Sequence, residues 1–511
     1  MKKAYVVGID VGTTGTKTIL FDFEGNALSS GYVEYPCIYP KPNWVEQDAQ
    51  TLFNAVLKAS EIAMTASQID AKEIAAISIS AQRSSCIFID ENDQPIKMIS
   101  WMDNRASEQV EEIDLKFGKD EFYRISGLPL NTCWILPKIM WVRQYEQQIW
   151  QRTKKVCQVQ DYILKQLGAD DYYTDEPDAA FWGLWETDNC KYSSELISKF
   201  EIDKKILPKV MQSGTKIGEV TSNCVFAKGT PICVGIGDQN SAAIGAGVVE
   251  SGIVSASLGT GGLATALLNS KYRDATGNTM VTNHALHGMW EFEGLQNAAA
   301  VVYKWFSTEI AALENFQSKN NHTNIFEDLN KMIETVPVGA KGLIMMPYFA
   351  SSAAPRWNSN ARGAFLGLTL AHDRACMARA CMEGITMEMR DIITAIRKNG
   401  FDVNVGRVIG GATKSDIWNQ IQADMYNIPV ETLAVKDAAV LGAAMCAAVG
   451  IGVYENVVQA AKAMVKPAKR FEPISKNVVI YDEMYAIYCD AYESLANGGV
   501  YDKISKFQQK F

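Results

Sequence analysis

The chain is 511 residues long, which exceeds the size at which a single hydrophobic core keeps growing, so two domains are expected. Its hydrophobic content of 48% and charged content of 21% are typical of a globular protein. The net charge of -9, without a cluster of Lys and Arg, argues against nucleic acid as a main partner, and no apolar stretch is long enough to cross a membrane.

The first half of the chain alternates strands with helices. Apolar runs over residues 6–10 and 18–22 predict two strands, and a helix over 49–66 precedes a buried strand over 74–80. Residues 105–210 are predicted to be mostly helical and loop-rich, an insertion whose many aromatic side chains pack it in place. This alternation is typical of an α/β domain.

The second half repeats the scheme. Strands are predicted over residues 230–237 and 252–256, followed by a helix over 374–398 and a strand over 404–409. The pair Gly410–Gly411 is predicted to open a helix that runs through Met425. A second α/β domain is therefore expected.

The domain boundary is expected near residues 245–255. We divide the chain into an N-terminal domain of residues 1–248 and a C-terminal domain of residues 249–511. The helix over 438–444 consists of small residues, and we expect it to pack closely near this junction as a core element.

The cysteines and the first residues indicate the compartment. Eleven cysteines are scattered without a C-x-x-C pair, which is typical of reduced thiols in a cytoplasmic protein. The apolar stretch near the start is interrupted by Gly8 and Asp10, so no secretion signal is predicted. His284 and His287 lie three residues apart without a third ligand nearby, and we expect no zinc site.

A glycine- and threonine-rich loop occurs twice, at residues 12–17 (GTTGTK) and 257–262 (SLGTGG), each time after a predicted strand. Glycines let backbone N–H groups approach phosphate oxygens, and threonine hydroxyls add donors. Neither loop has the ending of a P-loop or the spacing of a dinucleotide fingerprint. One copy alone would fit a hairpin turn equally well, but the duplication favours ATP held in a cleft between two related lobes.

Two aspartates are placed for phosphoryl transfer. Asp238 follows an apolar strand and could accept the proton of a substrate hydroxyl that attacks the terminal phosphate. Asp10 directly precedes the first loop and could hold Mg²⁺ through its waters. Either residue could instead cap a turn, but the neighbouring loops favour the catalytic interpretation.

Other strand ends carry candidates for ligand contacts. Residues 82–84 (QRS) and 101–105 (WMDNR) offer hydrogen-bond partners for a polyhydroxylated ligand. An internal ion pair between Asp103 and Arg105 is the alternative. Residues 410–412 (GGA) would let a flat purine lie against the backbone, although Gly-Gly is also common in turns.

In this order, the motifs resemble the FGGY family of carbohydrate kinases. The similarity covers nearly the whole chain and rests on Asp10–Thr14, Trp44–Asp48, Gly237–Gln239, Ser257–Gly261, Asn360–Phe365 with Gly367 and Leu368, and Gly410–Ala412 with Trp418, Ala423 and Asp424. The resemblance implies two actin-like (ribonuclease H-like) ATPase domains that flank a catalytic cleft, the first binding the sugar and the second ATP. It also implies Mg²⁺ and transfer of phosphate to a terminal hydroxyl of a sugar or polyol.

Carried over by position, the resemblance assigns individual roles. Asp238 would be the catalytic base, and Asp10 and Asp238 would lie near the metal. The substrate-binding set would be Gln82, Arg83, Trp101, Asp103, Asp238 and Gln239. The ATP-binding set would be Thr13, Thr14, Lys17, Gly259, Thr260, Ala300, Lys304, Gly410, Gly411, Ala412 and Ser415.

The sequence motifs identify the substrate less clearly than they identify the family. Trp101, Asp103 and Arg105 agree with the W-N-D-x-R of xylulokinases, but residues 82–85 (QRSS) stand where those enzymes show Gln-Met-His-Gly. Glycerol kinases show Gln-Arg-Glu-Thr there, so the stretch agrees with them only in part. We expect a pentulose such as D-xylulose, with other pentuloses, glycerol, erythritol and autoinducers as alternatives.

A function from another class is also considered. Actin and heat-shock chaperones use the same duplicated architecture as an ATP switch, and a non-catalytic sugar sensor is a further alternative. The chain shows neither a client domain nor a helix-turn-helix ahead of its first strand, and it retains Asp238, which favours a kinase. The expected partner is a small sugar or polyol rather than nucleic acid or a membrane, and a homodimer is left open.

Overall fold

The computed structural model describes residues 4–274, 277 and 279–511. These form two compact units. Unit 1 comprises Met1–Glu250, Leu267–Glu291 and Asp437–Lys466, and unit 2 comprises Ser251–Ala266, Phe292–Lys436 and Pro467–Phe511. Among the described residues, no helix has the length and apolar character that a membrane span requires.

The strands are, in chain order, β1 (Tyr5–Val11), β2 (Gly15–Asp22), β3 (Ala27–Glu34), β4 (Ile74–Ala81), β5 (Cys86–Ile89), β6 (Pro95–Ile99), β7 (Lys155–Cys157), β8 (Tyr173–Asp175), β9 (Trp185–Glu186), β10 (Lys191–Tyr192), β11 (Lys209–Met211), β12 (Lys216–Glu219), β13 (Pro231–Cys233), β14 (Ile236–Gly237), β15 (Gly252–Leu258), β16 (Gly262–Leu268), β17 (Met280–Asn283), β18 (Trp290–Gln296), β19 (Ile344–Met346), β20 (Ala364–Leu366), β21 (Val403–Ile409), β22 (Val430–Leu433) and β23 (Pro467–Phe471).

The α-helices are α1 (Ala49–Ser67), α2 (Ser107–Phe117), α3 (Lys119–Ser126), α4 (Ile135–Tyr145), α5 (Gln147–Arg152), α6 (Val159–Leu167), α7 (Glu176–Ala180), α8 (Ser194–Lys199), α9 (Asp238–Gly245), α10 (Ala300–Trp305), α11 (Ala312–Asn320), α12 (Ile325–Glu334), α13 (Arg374–Lys398), α14 (Asp416–Tyr426), α15 (Ala438–Gly450), α16 (Val457–Met464), α17 (Ser475–Asn497) and α18 (Val500–Gln508).

The main sheet of unit 1 has the order β12-β13-β4-β1-β2-β3, and β14 pairs with β4. β1 and β2 form an antiparallel hairpin, whereas β1 runs parallel to β4, and β4 runs parallel to β13 and β14. All eight residues of β4 are buried, as expected for a strand that is covered on both faces of a sheet.

Unit 2 repeats this arrangement in the order β18-β16-β15-β21-β22-β23. β15 and β16 form the antiparallel hairpin, and β15, β21 and β22 are parallel neighbours. The hairpin β1–β2 and strand β4 of unit 1 therefore correspond to the hairpin β15–β16 and strand β21 of unit 2. The α/β class and the duplication predicted from the sequence are present.

The helix predicted to open at Gly410 begins later. Gly410 has φ 89°, which a helix cannot accommodate, and residues 411–414 form one 3-10 turn. α14 starts at Asp416 because Ser415 acts as its N-cap, accepting a hydrogen bond from the N–H of Trp418. The serine before the apolar run was the better signal for the helix start.

Within unit 1, the backbone of helix α15 packs directly against the backbone of β1 and α9. A Cβ atom on Gly8 of β1 would lie 2.1 Å from the carbonyl oxygen of Val440, and a Cβ on Gly245 of α9 would lie 1.9 Å from that of Ala438. Side chains at these positions would therefore push α15 away from the sheet. The small-residue helix is a core element of unit 1.

We expect Gly8→Ala to lower the free energy of unfolding by about 3 kcal/mol, because a methyl group has to displace backbone rather than a flexible side chain. Urea unfolding followed by circular dichroism measures this. Gly411→Ala is the matched control, since its Cβ would meet no atom within 4 Å. Equal stability of the two variants would contradict the close packing.

Candidate active site

In unit 1, the carboxyl ends of three parallel strands meet at one edge of the sheet. Asp10 of β1 lies opposite Ser80 of β4, and Gly237 of β14 lies opposite Ala81. The Ser80 hydroxyl donates a hydrogen bond of 2.7 Å to Asp10 Oδ1. Ligands of open α/β sheets bind at this type of edge, and Asp238 follows directly after Gly237.

The electrostatic environment of Asp10 favours its protonated form. Burial is the largest cause that raises its pKa to about 7, and the negative charges of Asp238 and Asp437 add to it, while the Ser80 hydrogen bond and Lys17 oppose it. When a divalent cation binds beside this carboxyl group, the ionised form would be favoured and the proton would be released to solvent.

Lys17 is held by a residue that the sequence analysis did not single out. Its Nζ lies 2.6 Å from Asp437 Oδ1, and Asp437 stands directly before α15. Both side chains are about one-third exposed. From the sequence, the following helix, residues 438–444, is predicted as a core element, and no role is assigned to Asp437.

Asp238 begins α9 and lies beside Arg83. The distance from Arg83 Nε to Asp238 Oδ1 is 3.4 Å, and Arg83 also donates a hydrogen bond of 3.0 Å to Asn240 Oδ1. The guanidinium lies 3.9 Å from the centroid of the Phe181 ring. A Cβ on Gly237 would lie 2.5 Å from Arg83 Cδ, so the missing side chain at this position lets Arg83 approach α9.

Two buried polar atoms near Arg83 lack a hydrogen-bond partner among the described residues: Asp178 Oδ1 and Asn240 Nδ2. Burial, followed by the charges of Asp175 and Asp161, raises the pKa of Asp178 well above its ordinary value, and the positive charge of Arg83 opposes this. Unpartnered polar atoms in a buried position are what a hydroxyl-rich ligand would satisfy. Neither residue was predicted from the sequence.

Hydrogen bonds to its carbonyl oxygens hold the first loop in place. The hydroxyl of Tyr35 donates to the carbonyl oxygen of Gly12 at 2.6 Å, Gln47 Nε2 donates to that of Thr13 at 2.8 Å, and the Tyr35 N–H donates to that of Thr14 at 3.1 Å. With their carbonyls engaged, Thr13 and Thr14 present N–H groups that have no acceptor among the described residues. Such groups suit phosphate oxygens.

The other predicted sugar contacts differ in how accessible they are. Trp101 is 40% exposed, and its indole N–H donates to the Thr13 hydroxyl at 3.0 Å. Gln82 is buried, donates to Gln47 Oε1 at 2.9 Å and so supports the first loop. Gln239 is half-buried beside Asp238.

Asp103 forms the internal ion pair that was the alternative interpretation. Its Oδ1 lies 2.9 Å from Arg105 Nε and its Oδ2 lies 2.8 Å from Arg105 Nη2, and both side chains are buried. Arg105 also contacts Glu46 at 2.8 Å and lies over the Trp44 ring. A direct contact between Asp103 and a substrate stays a prediction.

In unit 2, the second loop connects β15 to β16. The N–H of Ala300 donates to the carbonyl oxygen of Gly259 at 2.8 Å, and the N–H of Ala299 donates to that of Thr260 at 2.9 Å. The start of α10 therefore supports this loop, and Lys304 is exposed one turn further along the same helix. The second loop, like the first, has its carbonyls occupied by the protein.

The loop after β21 lies next to the second glycine- and threonine-rich loop, because β21 runs parallel to β15 and Ile409 lies opposite Ser257. A Cβ on Gly410 would lie 3.0 Å from the carbonyl oxygen of Leu258. Gly411 is exposed, Ala412 is buried, and the Ser415 hydroxyl is engaged with α14 and with Asn330. The ATP-binding role of these residues stays a prediction.

A duplicated α/β unit with a glycine-threonine loop at a strand end in each copy, and with carboxylates beside the first loop, is typical of the actin-like ATPase class. The N-terminal domain of the FGGY family of carbohydrate kinases matches residues 5–245, and the C-terminal domain of that family matches residues 254–451.

Individual relatives match along the whole chain. Xylulose kinase of Bacillus subtilis (strain 168) is 30% identical over 494 residues, covering 96% of this chain and 96% of that protein. Gluconokinase of the same organism is 27% identical over 514 residues, covering 99% and 98%. The crystal structure of ligand-bound xylulose kinase from Lactobacillus acidophilus is 28% identical and superimposes with a TM-score of 0.88, covering 98% of this chain and 99% of that one.

The chain belongs to the FGGY family of carbohydrate kinases. It is an enzyme that transfers a phosphoryl group from ATP to a small sugar. The family, the actin-like α/β fold and the kinase activity predicted from the sequence are confirmed.

Proposed function

We propose that this enzyme phosphorylates a terminal hydroxyl of a ketopentose, D-xylulose, with ATP and Mg²⁺. The relatives named xylulose kinase support the substrate class. The observation that carries the proposal is the pairing of Arg83 with Asp238 at the sheet edge that also holds Asp10. A proton acceptor and a fixed hydrogen-bond donor there suit a neutral polyhydroxylated molecule.

In the proposed mechanism, Asp238 accepts the proton of the sugar hydroxyl as that oxygen attacks the terminal phosphate. Arg83 orients the carboxylate of Asp238, while Asp178 and Asn240 offer unsatisfied polar atoms to other hydroxyls. The N–H groups of Thr13 and Thr14 in the first loop bind phosphate oxygens.

Asp10 fits a role beside Mg²⁺. Carboxylate oxygens are ligands of this hard cation, which usually keeps several of its waters. When bound, Mg²⁺ neutralises charge on the transferred phosphate. The predicted ATP-binding residues of both loops, of α10 and of residues 410–415 complete the proposed set.

Charge favours a neutral sugar over an acid such as gluconate. The guanidinium of Arg83 is already paired with the carboxylate of Asp238, so it is not a free cation for a substrate carboxylate. A substrate carboxylate would compete with Asp238 for this guanidinium and would be repelled by the Asp238 carboxylate. We therefore rank D-xylulose before gluconate, although a gluconokinase is among the relatives.

Three further expectations belong to this proposal. The N-terminal domain at 1–248 and the C-terminal domain at 249–511 stay a predicted division into sugar-binding and ATP-binding parts. Eleven cysteines that lie outside any disulfide are typical of a cytoplasmic protein, and we propose that site of action. A homodimer stays open to measurement by light scattering.

The test is ADP release by the purified protein with Mg-ATP and a panel of D-xylulose, D-ribulose, glycerol, erythritol, gluconate and glucose. The proposal expects D-xylulose to give the highest kcat/KM. A preference for gluconate or for a polyol would overturn the substrate while leaving the kinase class intact.

We expect Arg83→Ala to lower kcat/KM for the sugar by roughly 10-fold or more, since a hydrogen bond to a charged group contributes about 1.5–3 kcal/mol. Steady-state kinetics measure this, and nucleotide affinity should stay unchanged. Arg152→Ala is the control, because Arg152 is an exposed arginine paired with Asp90 at 3.2 Å. An unaltered KM in Arg83→Ala would remove Arg83 from the substrate set.

A further inference from the structure

Three side chains that bind metals well meet in unit 1, outside the proposed active site. Glu176 begins α7, Cys190 lies in the turn between β9 and β10, and His287 lies in the turn after β17. One ligand atom of each residue lies within 4.8 Å of those of the other two. From the sequence, no zinc site is predicted at His287, because the nearest carboxylate of this cluster, Glu176, lies 111 positions away along the chain.

The three groups already interact. His287 Nδ1 lies 2.8 Å and 2.9 Å from the two carboxylate oxygens of Glu176. Asn283 Nδ2 lies 3.2 Å from Cys190 Sγ and donates to it. The Glu176 side chain is 12% exposed, whereas that of His287 is 56% exposed, so an ion would reach the buried carboxylate and thiol from the side of the imidazole.

The backbone at Cys190 is unusual. Its φ is 47°, in the left-handed region that glycine and asparagine occupy more readily. A residue kept in such a conformation costs about 1–3 kcal/mol and often marks a functional position. A simple ion pair between Glu176 and His287 would not require a cysteine there.

We propose that Glu176, Cys190 and His287 bind one Zn²⁺ ion through carboxylate oxygen, thiolate sulfur and imidazole Nδ1, with water as the fourth ligand. Sulfur and imidazole donors favour Zn²⁺ over the hard cation Mg²⁺, and three protein ligands plus water are a common zinc arrangement. His284 is not part of this site, since it is buried and its Nε2 contacts the carbonyl oxygen of Val248 at 2.9 Å.

Binding exchanges a proton for the metal. Burial, followed by the charge of Glu176, raises the pKa of Cys190 to about 11, so the thiol carries its proton at neutral pH. As the Zn–S bond forms, the S–H bond breaks and the proton passes to solvent. The direct contact between His287 and Glu176 is replaced by their shared contact with the ion.

The ion would join α7 to two turns of unit 1. Asp178, two residues after Glu176 on α7, is one of the residues with an unpartnered oxygen near Arg83. Zinc would thus fix the start of the helix that carries a proposed substrate contact. An ion that binds only the folded state raises the melting temperature.

The experiment uses the full chain after removal of metals with a chelator. Co²⁺ is titrated in as a spectroscopic probe, and Zn²⁺ is then added as a competitor. We expect one equivalent of Co²⁺ to give a thiolate-to-cobalt charge-transfer band with tetrahedral ligand-field bands, and Zn²⁺ to abolish both. Zn²⁺ alone should raise the melting temperature.

Variants assign the bands to this cluster. Cys190→Ser should remove the charge-transfer band, and His287→Ala should weaken Co²⁺ binding by at least about 10-fold. Cys224→Ser is the matched control, because Cys224 is another partly buried thiol of unit 1, and it should leave the spectrum unchanged. The absence of the band in the natural chain, or its persistence in a folded Cys190→Ser protein, would overturn the site. These readouts do not depend on kinase activity.

Discussion

Asp238→Asn should lower kcat by about 10³-fold while ATP still binds, because general base catalysis contributes roughly 10²- to 10⁴-fold. The substitution keeps the shape of the side chain and removes only its ability to accept a proton. Asp238 is the first residue of α9, and its carboxylate lies 3.4 Å from Arg83 Nε. Rapid-quench measurement of ADP formation, together with calorimetric titration of a non-hydrolysable ATP analogue, separates chemistry from binding.

The control for this experiment is Asp120→Asn, an equally conservative change at an exposed position in the first turn of α3. It should retain the turnover of the natural enzyme. If Asp238→Asn kept more than about one-tenth of the natural kcat, another group would have to be the base.

Asp10→Asn should have two opposite effects. It should lower kcat/KM for Mg-ATP by about 10- to 100-fold, the usual cost of losing a residue that contacts a metal through its waters. In the absence of Mg²⁺ it should stabilise the protein. The reason is that the pKa of Asp10 is raised from 3.8 to about 7, chiefly by burial, so its ionised form is unfavourable in the fold.

The pH dependence follows from this shift. Between pH 4 and pH 7 the folded chain keeps the proton on Asp10 that the unfolded chain has released, so the free energy of unfolding falls as the pH rises through this range. The full shift corresponds to roughly 4 kcal/mol. Because Asp10 keeps some contact with solvent, we expect about half of that, about 2 kcal/mol.

Urea unfolding of both proteins without Mg²⁺ at pH 5 and pH 8 provides the measurement. The variant should be the more stable protein at pH 8, and the difference should shrink at pH 5. Glu91→Gln, an exposed loop residue, serves as the control for removal of a charge. A variant that is less stable than the natural protein at both pH values would contradict the interpretation of Asp10.

The sequence predicted those features whose signal is local. The strands before the two loops, the helix α13 and the buried strand β4 each have a clear apolar pattern, and the structure has them within a few residues. The loops themselves were visible because glycine and threonine recur at matching strand ends. The start of α14 was missed because a glycine pair was given more weight than the N-cap serine.

What the sequence could not predict depends on distant contacts. The ion pair of Lys17 with Asp437 joins residues 420 positions apart, and the contact between Glu176 and His287 spans 111. Asp178 and Asn240 matter because they are buried beside Arg83, a property that no short motif contains. Asp103 and Arg105 are only two positions apart, so the sequence suggests their ion pair. It does not show that both side chains are buried.

Helix α15 also constrains the order in which the protein can fold during synthesis. Residues 437–466 complete unit 1, yet they are translated after most of unit 2. The surfaces of β1 and α9 at Gly8 and Gly245 therefore lack the helix that packs on them until the ribosome has translated residue 450. Domains usually fold one after another from the N-terminus, but here the strands of the N-terminal sheet are complete by residue 237 and the helix that covers them follows only near the end of translation.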